Sequence, residues 1–288
     1  MNASSAPDLT TRDPQEAKRL LQEHGLAILE GVLGASELAT VKAAVARGID
    51  RDRRNDIQLQ GFAFDPDDRN IRLFDLINKD KVFRDLAEHP VAVDFVRHWL
   101  GEPFSLSNFS GNVTAPGSGS MSTHADAGYM PVPWPPYPIA INIAWAIDDF
   151  TSENGGTRFI PGSYHLDFGP NHVPEPGDPR AEQIRALAPP RPVECPAGSI
   201  FIMDGRVWHH TGPNTTADVS RIGLFAYYTR PFIRPQYNWY ATVPDEVLEA
   251  ASPLMREMLG FAGNASASDA DYPALRRTTR RRPERTPS

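Results

Sequence analysis

The first third of the chain has a helical hydrophobic pattern. Apolar residues recur every three or four positions over residues 14–24, after Ser36 and over residues 80–100. Each of these segments is predicted to be helical, with the second helix ending at Gly48. The apolar run at 26–29 is predicted to be a strand between the first two helices.

From residue 104 onward the pattern is that of strands. Short apolar or alternating segments lie between turns at 104–115, 138–150, 157–160, 198–203 and 222–229. In the second of these, isoleucine or tryptophan occupies every other position from Ile139 to Ile147, which is typical of one buried strand face. Helices followed by many short strands predict a mainly β fold, with helices packed on a β-sandwich or a jelly roll. Such a core can enclose one small ligand.

The pattern predicts a single domain over residues 14–263. Its expected parts are helices over 14–100, the jelly-roll core over 104–240 and a C-terminal helix over 245–260. The polar segment 1–13 and the basic segment 264–288 are expected to be flexible tails. An anionic partner for the basic segment is an alternative, but a solvated tail is the simpler interpretation.

Composition and charge narrow the class of protein. The 288 residues carry a formal net charge of -7 and are 40% hydrophobic, which fits a globular protein and argues against a nucleic-acid binder. The sequence has one cysteine, Cys195, so a disulfide within the chain is excluded. It also has no long apolar run. We therefore expect a cytoplasmic protein that does not enter a membrane.

The chemistry begins at His124-Ala-Asp126. If this segment is extended, the imidazole and the carboxylate leave the same face and form two thirds of a metal site. A third ligand is offered by His209 or His210, which point to opposite faces of a strand, and spacing alone does not choose between them. His165-Leu-Asp167 is a rival pair, disfavoured because it lies in a proline-rich loop.

Arg221 begins the apolar run that continues to residue 229, so its charge needs an anionic partner. One interpretation is a structural ion pair, for example with Asp218. The other is a clamp for the carboxylate of a ligand, because a guanidinium makes strong charge-assisted hydrogen bonds.

Several blocks together resemble the phytanoyl-CoA dioxygenase family of Fe(II)/2-oxoglutarate oxygenases. They are His124-Ala-Asp126, Glu153-Asn-Gly-Gly-Thr-Arg-Phe-Ile-Pro-Gly-Ser-Tyr-His165, Trp208-His-His-Thr-Gly-Pro-Asn214 and Arg221. The opening at 24–33 is similar as well, so the resemblance spans about residues 15–260. It implies a double-stranded β-helix (jelly roll, cupin-like) core.

The resemblance implies roles for individual residues. His124, Asp126 and His209 would hold Fe(II), whereas Arg221, Thr157 and Thr211 would bind 2-oxoglutarate. Several relatives have glutamine where this chain has Met121, which changes one expected contact to that cosubstrate. Relatives that halogenate replace the carboxylate by a small residue, so Asp126 favours oxygenation.

The implied function is O₂-dependent oxidation, by default hydroxylation, of a C–H bond in a small organic molecule such as a secondary metabolite. Succinate and CO₂ would be released. Candidate residues for binding the substrate are Asn112, Tyr129, Trp134 and Trp239. Two alternatives are a cupin-like metal-dependent hydrolase or isomerase and a jelly roll that binds a small molecule without catalysis. The latter would leave the three candidate ligands apart.

Overall fold

The computed structural model describes residues 7–172, 174–175 and 177–261. Within this part the helices are α1 Pro14–His24, α2 Ala35–Arg54, α3 Lys81–Ala87, α4 Pro90–Leu100, α5 Arg180–Arg185, α6 Trp239–Thr242, α7 Asp245–Glu249 and α8 Pro253–Met258. The strands are β1 Thr10–Thr11, β2 Leu26–Leu29, β3 Ile71–Leu73, β4 Ser105–Thr114, β5 Ala140–Ala146, β6 Thr157–Phe159, β7 Arg191–Pro192, β8 Ile200–Asp204, β9 His209–Thr211 and β10 Arg221–Thr229.

The first helix confirms the prediction from the sequence. The Asp13 side chain accepts a hydrogen bond from the N–H of Gln15, and Pro14 takes the first position, where no N–H is needed. The helix ends at Gly25, whose positive φ of 72° allows its N–H to reach the carbonyl of Leu21.

The second helix is longer than predicted. It continues through Gly48 to Arg54, so the expectation that Gly48 ends it is wrong. A Cβ at position 48 would lie 3.4 Å from the Lys79 side chain, so the glycine allows close packing against a neighbouring segment instead of stopping the helix. The helix begins after Gly34, whose N–H donates to the Glu37 carboxylate over 2.8 Å.

A seven-stranded sheet runs in the order β1-β2-β8-β5-β10-β4-β3, and a three-stranded sheet runs in the order β7-β6-β9. In the large sheet the pairs are antiparallel except β1 with β2. Thr10–Thr11, inside the segment expected to be a flexible tail, pairs with Ile28 and Leu29, and Leu9 beside it is buried. The result is a mixed, sheet-rich fold with packed helices.

The two faces of β5 have different compositions. Ile141, Ile143 and Trp145 point to one face, where they are buried in the main hydrophobic core with α4. The other face carries Ala140, Asn142, Ala144 and Ala146. The alternating isoleucines of the sequence therefore mark the helix-covered side of the sheet, and small residues leave space on the opposite side.

The C-terminal segment differs from the expected single helix over 245–260. It forms α7 and α8, separated at Ser252-Pro253. Proline lacks the N–H for a continuous helix and disfavours helical geometry at the preceding residue, whereas Ser252 caps α8 by accepting from the N–H of Met255.

The expected basic tail at 264–288 lies outside the described residues. Among those residues, no helix has both the length and the apolar composition needed to cross a membrane.

A buried ion pair ties α4 to the end of β8. The Asp204 carboxylate accepts from Nε of Arg206 over 2.8 Å, from Nη2 of Arg206 over 3.0 Å and from the indole N–H of Trp99 over 2.8 Å. Asp204 is 1% exposed and Arg206 is 7% exposed. If either partner is removed, the remaining charge is buried and is not solvated by water.

We expect Asp204→Ala to lower the free energy of unfolding by about 3–5 kcal/mol, because Arg206 would be left charged and buried without its partner. Urea unfolding followed by circular dichroism measures this change. Asp85→Ala is the matched control, since it removes an exposed ion pair with Lys81 and is expected to cost about 0.5 kcal/mol or less. Equal effects of the two substitutions would contradict this account of the pair.

Candidate metal centre and its pocket

His124 lies in an extended segment that pairs with β9. Its N–H donates to the carbonyl of His209 over 2.9 Å, and the N–H of His209 donates back over 2.8 Å. The two imidazole centroids are 4.4 Å apart as a result. Asp126 follows at the start of a 3₁₀ helix, Asp126–Tyr129, so the extended stretch lasts only through Ala125. That length is enough to turn the carboxylate toward the two rings.

Both imidazoles are held with Nε2 free. Nδ1 of His124 lies 3.2 Å from the carbonyl of Ser122, and Nδ1 of His209 lies 3.0 Å from the carbonyl of Val207. Because a carbonyl only accepts, Nδ1 is the donor in each contact, and Nε2 is the nitrogen that each ring directs toward Asp126. Burial, with the nearby His124, lowers the pKa of His209 to about 4, so this ring is neutral at neutral pH.

The three ligand groups converge on one point. Oδ1 of Asp126 lies 3.9 Å from Nε2 of His124 and 3.8 Å from Nε2 of His209. One ligand atom from each residue lies within 4.8 Å of the other two. Two imidazoles and one carboxylate on one face, with room opposite, form the donor set that suits non-haem Fe(II).

The neighbouring candidates point elsewhere. His210 faces away from His209, with its Nδ1 3.3 Å from the hydroxyl of Thr123. His165 packs against the ring of Tyr164 at 4.4 Å, and Asp167 lies 3.8 Å from Nε of Arg180. The fold thus makes the choice between the adjacent histidines that spacing left open, because strand alternation turns His209 inward.

A pocket with a volume of about 120 Å³ lies over the three ligands. It is bounded by both sheets, and its lining consists of Arg72, Asn108, Ser110, Met121, His124, Asp126, Asn142, Thr157, His209, Thr211, Phe225 and Tyr227. Polar side chains dominate near the ligands. The pocket can therefore receive a compound that is itself polar at the end that meets the metal.

Arg221 is fully buried at the start of β10, on the strand face that also carries Phe225 and Tyr227. Its guanidinium lies 4.3 Å from the ring centroid of Phe150, and Nη2 donates to the carbonyl of Gly155. Nε and Nη1 have no partner among the described residues. Gly223 leaves room for this group, since a Cβ there would lie 2.9 Å from Nη1.

Among the described residues, no carboxylate forms an ion pair with Arg221, although the charge of Asp148 favours its protonated form. Asp218, proposed from the sequence as one partner, is exposed, and Asp148 pairs with Lys42. Burial lowers the pKa of Arg221 to about 9, and the positive charge of Arg72 adds to that effect. The ion-pair interpretation is therefore not what the structure shows, and an anion bound nearby would stabilise both arginines.

Thr157 and Thr211 face each other across the β6–β9 pair, and both line the pocket. Asn112, which was expected to touch a substrate, is instead fully buried behind the pocket, with its amide 3.4 Å from the hydroxyl of Thr211. Its Oδ1 has no partner among the described residues. This side of the pocket therefore carries several hydrogen-bonding side chains.

The pocket residues that were missed from the sequence include Arg72, Asn142 and Tyr227. Arg72 enters from β3, where it pairs with Asp65 over 2.6 Å and its Nη2 donates to the sulfur of Met121. Asn142 donates to Asp126, and Tyr227 forms part of the wall. Each is a polar residue within an otherwise apolar strand pattern. That isolated polarity is the only signal of their role in the sequence.

The aromatic residues proposed for substrate binding have mixed placements. Trp134 and Trp239 are buried, and their indole N–H groups donate to the backbone carbonyls of Met130 and Leu106. Neither lines the pocket, because each fills a hydrophobic cluster. Tyr129 is 48% exposed and lies next to Tyr227, at the edge of the pocket.

The fold and the site define the class as non-haem iron enzymes, and comparison with known proteins agrees. The sequence profile of the phytanoyl-CoA dioxygenase (PhyH) family matches residues 21–223. Dioxygenase af480 of Aspergillus fumigatus is 34% identical over 284 residues, covering 93% of this chain and 86% of that protein.

Two solved structures share the fold. The epimerase SnoN, solved with Fe³⁺, α-ketoglutarate and nogalamycin RO, aligns with a TM-score of 0.63 at 22% identity, covering 83% of this chain and 92% of SnoN. The carbocyclase SnoK from nogalamycin biosynthesis aligns with a TM-score of 0.62 at 21% identity, covering 83% and 91%. The chain belongs to the phytanoyl-CoA dioxygenase family, whose enzymes depend on non-haem iron and 2-oxoglutarate.

We expect His209→Gln to weaken Co(II) binding by more than about a hundredfold, since loss of a ligand should exceed the loss of an outer partner. Co(II) serves as an air-stable substitute for Fe(II), and titration followed by visible absorption gives the dissociation constant. His210→Gln is the adjacent control and should bind Co(II) as the wild type does. The reverse result would assign the site to His210.

Proposed function

We propose that this protein hydroxylates a C–H bond of a small organic molecule, using Fe(II), 2-oxoglutarate and O₂. Two observations carry the proposal. His124, Asp126 and His209 converge on one point, and Arg221 is buried on the face of β10 whose Phe225 and Tyr227 line the pocket, with Nε and Nη1 unpartnered among the described residues. A metal-dependent hydrolase would need the three ligands but would have no use for such a buried guanidinium.

The donor set fits Fe(II), with His124 and His209 binding through Nε2 and Asp126 through Oδ1. When bound, Fe(II) and 2-oxoglutarate activate O₂, and the balanced reaction converts 2-oxoglutarate, O₂ and R–H to succinate, CO₂ and R–OH. The protein holds the two imidazoles and the carboxylate in one orientation through their backbone and side-chain hydrogen bonds. The intact Asp126 carboxylate keeps the position that halogenating relatives leave open.

Arg221 is proposed to bind the distal carboxylate of 2-oxoglutarate through Nε and Nη1, with Thr157 and Thr211 adding hydroxyl donors. Hydrogen bonds of a guanidinium to a carboxylate are worth roughly 1.5–3 kcal/mol each, because both partners are charged. Arg72 also lines the pocket, but Asp65 already pairs with its charge. The proposed carboxylate clamp therefore rests on Arg221.

The mouth of the pocket favours a substrate with apolar surface. Arg72 lies 5.7 Å from the ring centroid of Phe64, which stacks on Phe62 and meets Phe74 edge to face. Phe64 is 49% exposed. Exposed aromatic groups beside a pocket commonly mark a ligand surface. SnoN was solved with nogalamycin RO, which is consistent with an organic small molecule as the substrate of this chain too.

We also assign the two sheets to a double-stranded β-helix (jelly roll) that forms one catalytic domain over 14–263, with its pocket between the sheets. Hydroxylation is chosen over epimerisation or ring closure because it needs no further group from the protein. SnoN and SnoK show that the fold also supports those other outcomes. Isotope-labelled O₂ incorporated into the product would identify hydroxylation directly.

The test uses anaerobic protein with Fe(II) and 2-oxoglutarate, followed by visible absorption. Wild type should develop a weak metal-to-ligand charge-transfer band, and Arg221→Met should raise the dissociation constant for 2-oxoglutarate by at least about tenfold. Binding of Co(II) alone should be unchanged in this variant. Arg191→Met, which removes a cation on β7 away from the pocket, is the control and should behave as wild type.

Two results would contradict the proposal. If Arg221→Met binds 2-oxoglutarate as wild type does, the clamp is misassigned. If the wild type binds Fe(II) but develops no band with 2-oxoglutarate, the cosubstrate is misassigned and a hydrolytic or binding role becomes the better explanation. Succinate released with candidate substrates then separates turnover from binding alone.

A further inference from the structure

Asn142 stands out on the pocket-facing side of β5. The other residues on that face are Ala140, Ala144 and Ala146, and Asn142 itself is 5% exposed. A buried asparagine in the middle of an apolar central strand is costly unless its amide is used. Nothing in the pairing of β5 with β8 and β10 requires a polar side chain at this position, because those strands pair through backbone groups.

Only the NH₂ end of the Asn142 amide has a hydrogen-bond partner among the described residues. Nδ2 donates to Oδ2 of Asp126 over 2.8 Å, whereas Oδ1 of Asn142 has no partner among the described residues. The direction follows from chemistry, since an ionised carboxylate only accepts and the NH₂ group must face it. A residue kept only for stability would be expected to satisfy both ends of its amide, so the contact with Asp126 is the feature to explain.

That contact separates the two oxygens of the carboxylate. Oδ2 is held by Asn142, and Oδ1 is the oxygen that lies 3.9 and 3.8 Å from the two Nε2 atoms. We propose that Asn142 is a positioning residue that fixes Asp126 so that Oδ1 alone faces the metal. This inference rests on the proposed function of the site.

The consequence concerns the open positions of the metal. A carboxylate without this hydrogen bond can rotate and offer both oxygens, which would take up a position that the cosubstrate needs. Without the hydrogen bond, the Asp126 carboxylate would also have to become ordered when the metal binds. Outer partners of this kind typically change metal affinity by about 10–100-fold, because they orient the ligand in advance.

The experiment compares wild type with Asn142→Leu, which keeps the volume, and Asn142→Ala, which matches the neighbouring alanines and introduces no clash. Metal-free protein is titrated with Co(II), and the dissociation constant, the visible band and the thermal midpoint before titration are measured. Thr229→Val is the matched control, because Thr229 is fully buried on the adjacent strand with its hydroxyl unpartnered among the described residues.

We expect both Asn142 variants to bind Co(II) about 10–100-fold more weakly, with an altered visible band. Both variants should keep one cooperative thermal transition, since the substitutions remove an unpartnered carbonyl as well as the hydrogen bond to Asp126. Thr229→Val should bind Co(II) as wild type does. Wild-type affinity and an unaltered band in both variants would overturn the inference, as would loss of folding in both. If wild type itself binds no Co(II), the proposed function fails, and this inference fails with it.

Discussion

Two backbone hydrogen bonds between His124 and His209 hold the site together. They join an irregular segment that follows β4 to β9 in the small sheet, so two residues 85 positions apart in the sequence become neighbours. The same pairing sets the direction of both side chains. Because each ring is also fixed through Nδ1 to a backbone carbonyl, the metal-binding geometry is built by the main chain before any ligand is present.

The two faces of the large sheet have different roles. One face carries isoleucine, tryptophan and the Asp204–Arg206 pair, which anchor the helices. On β5 the other face carries small or polar residues, and the pocket lies on that side of the sheet. Alternation along a strand makes this division possible, since neighbouring residues belong to opposite faces. Stability and chemistry are thus carried by adjacent positions of the same strands.

The buried polar groups near the pocket give the site its character. Arg221, Asn112 and Asn142 each keep at least one buried donor or acceptor without a partner among the described residues. Of these three side chains only Arg221 is charged, and its guanidinium is the group proposed to bind a carboxylate of 2-oxoglutarate. Asn142 has the further role proposed above, because its Nδ2 donates to Asp126 and orients that candidate metal ligand.

The sequence by itself indicated a sheet-rich fold with helices, the family, and the pair His124 and Asp126 with two adjacent histidines as candidates for the third metal ligand. Those conclusions depend on local patterns and on spaced motifs, which do not require knowledge of packing. Tertiary structure alone decided the rest. It turned His209 rather than His210 inward, continued α2 through Gly48 and brought Arg72 and Asn142 into the pocket. These outcomes depend on contacts between residues distant in the sequence, and no local pattern encodes which distant surface a side chain will meet.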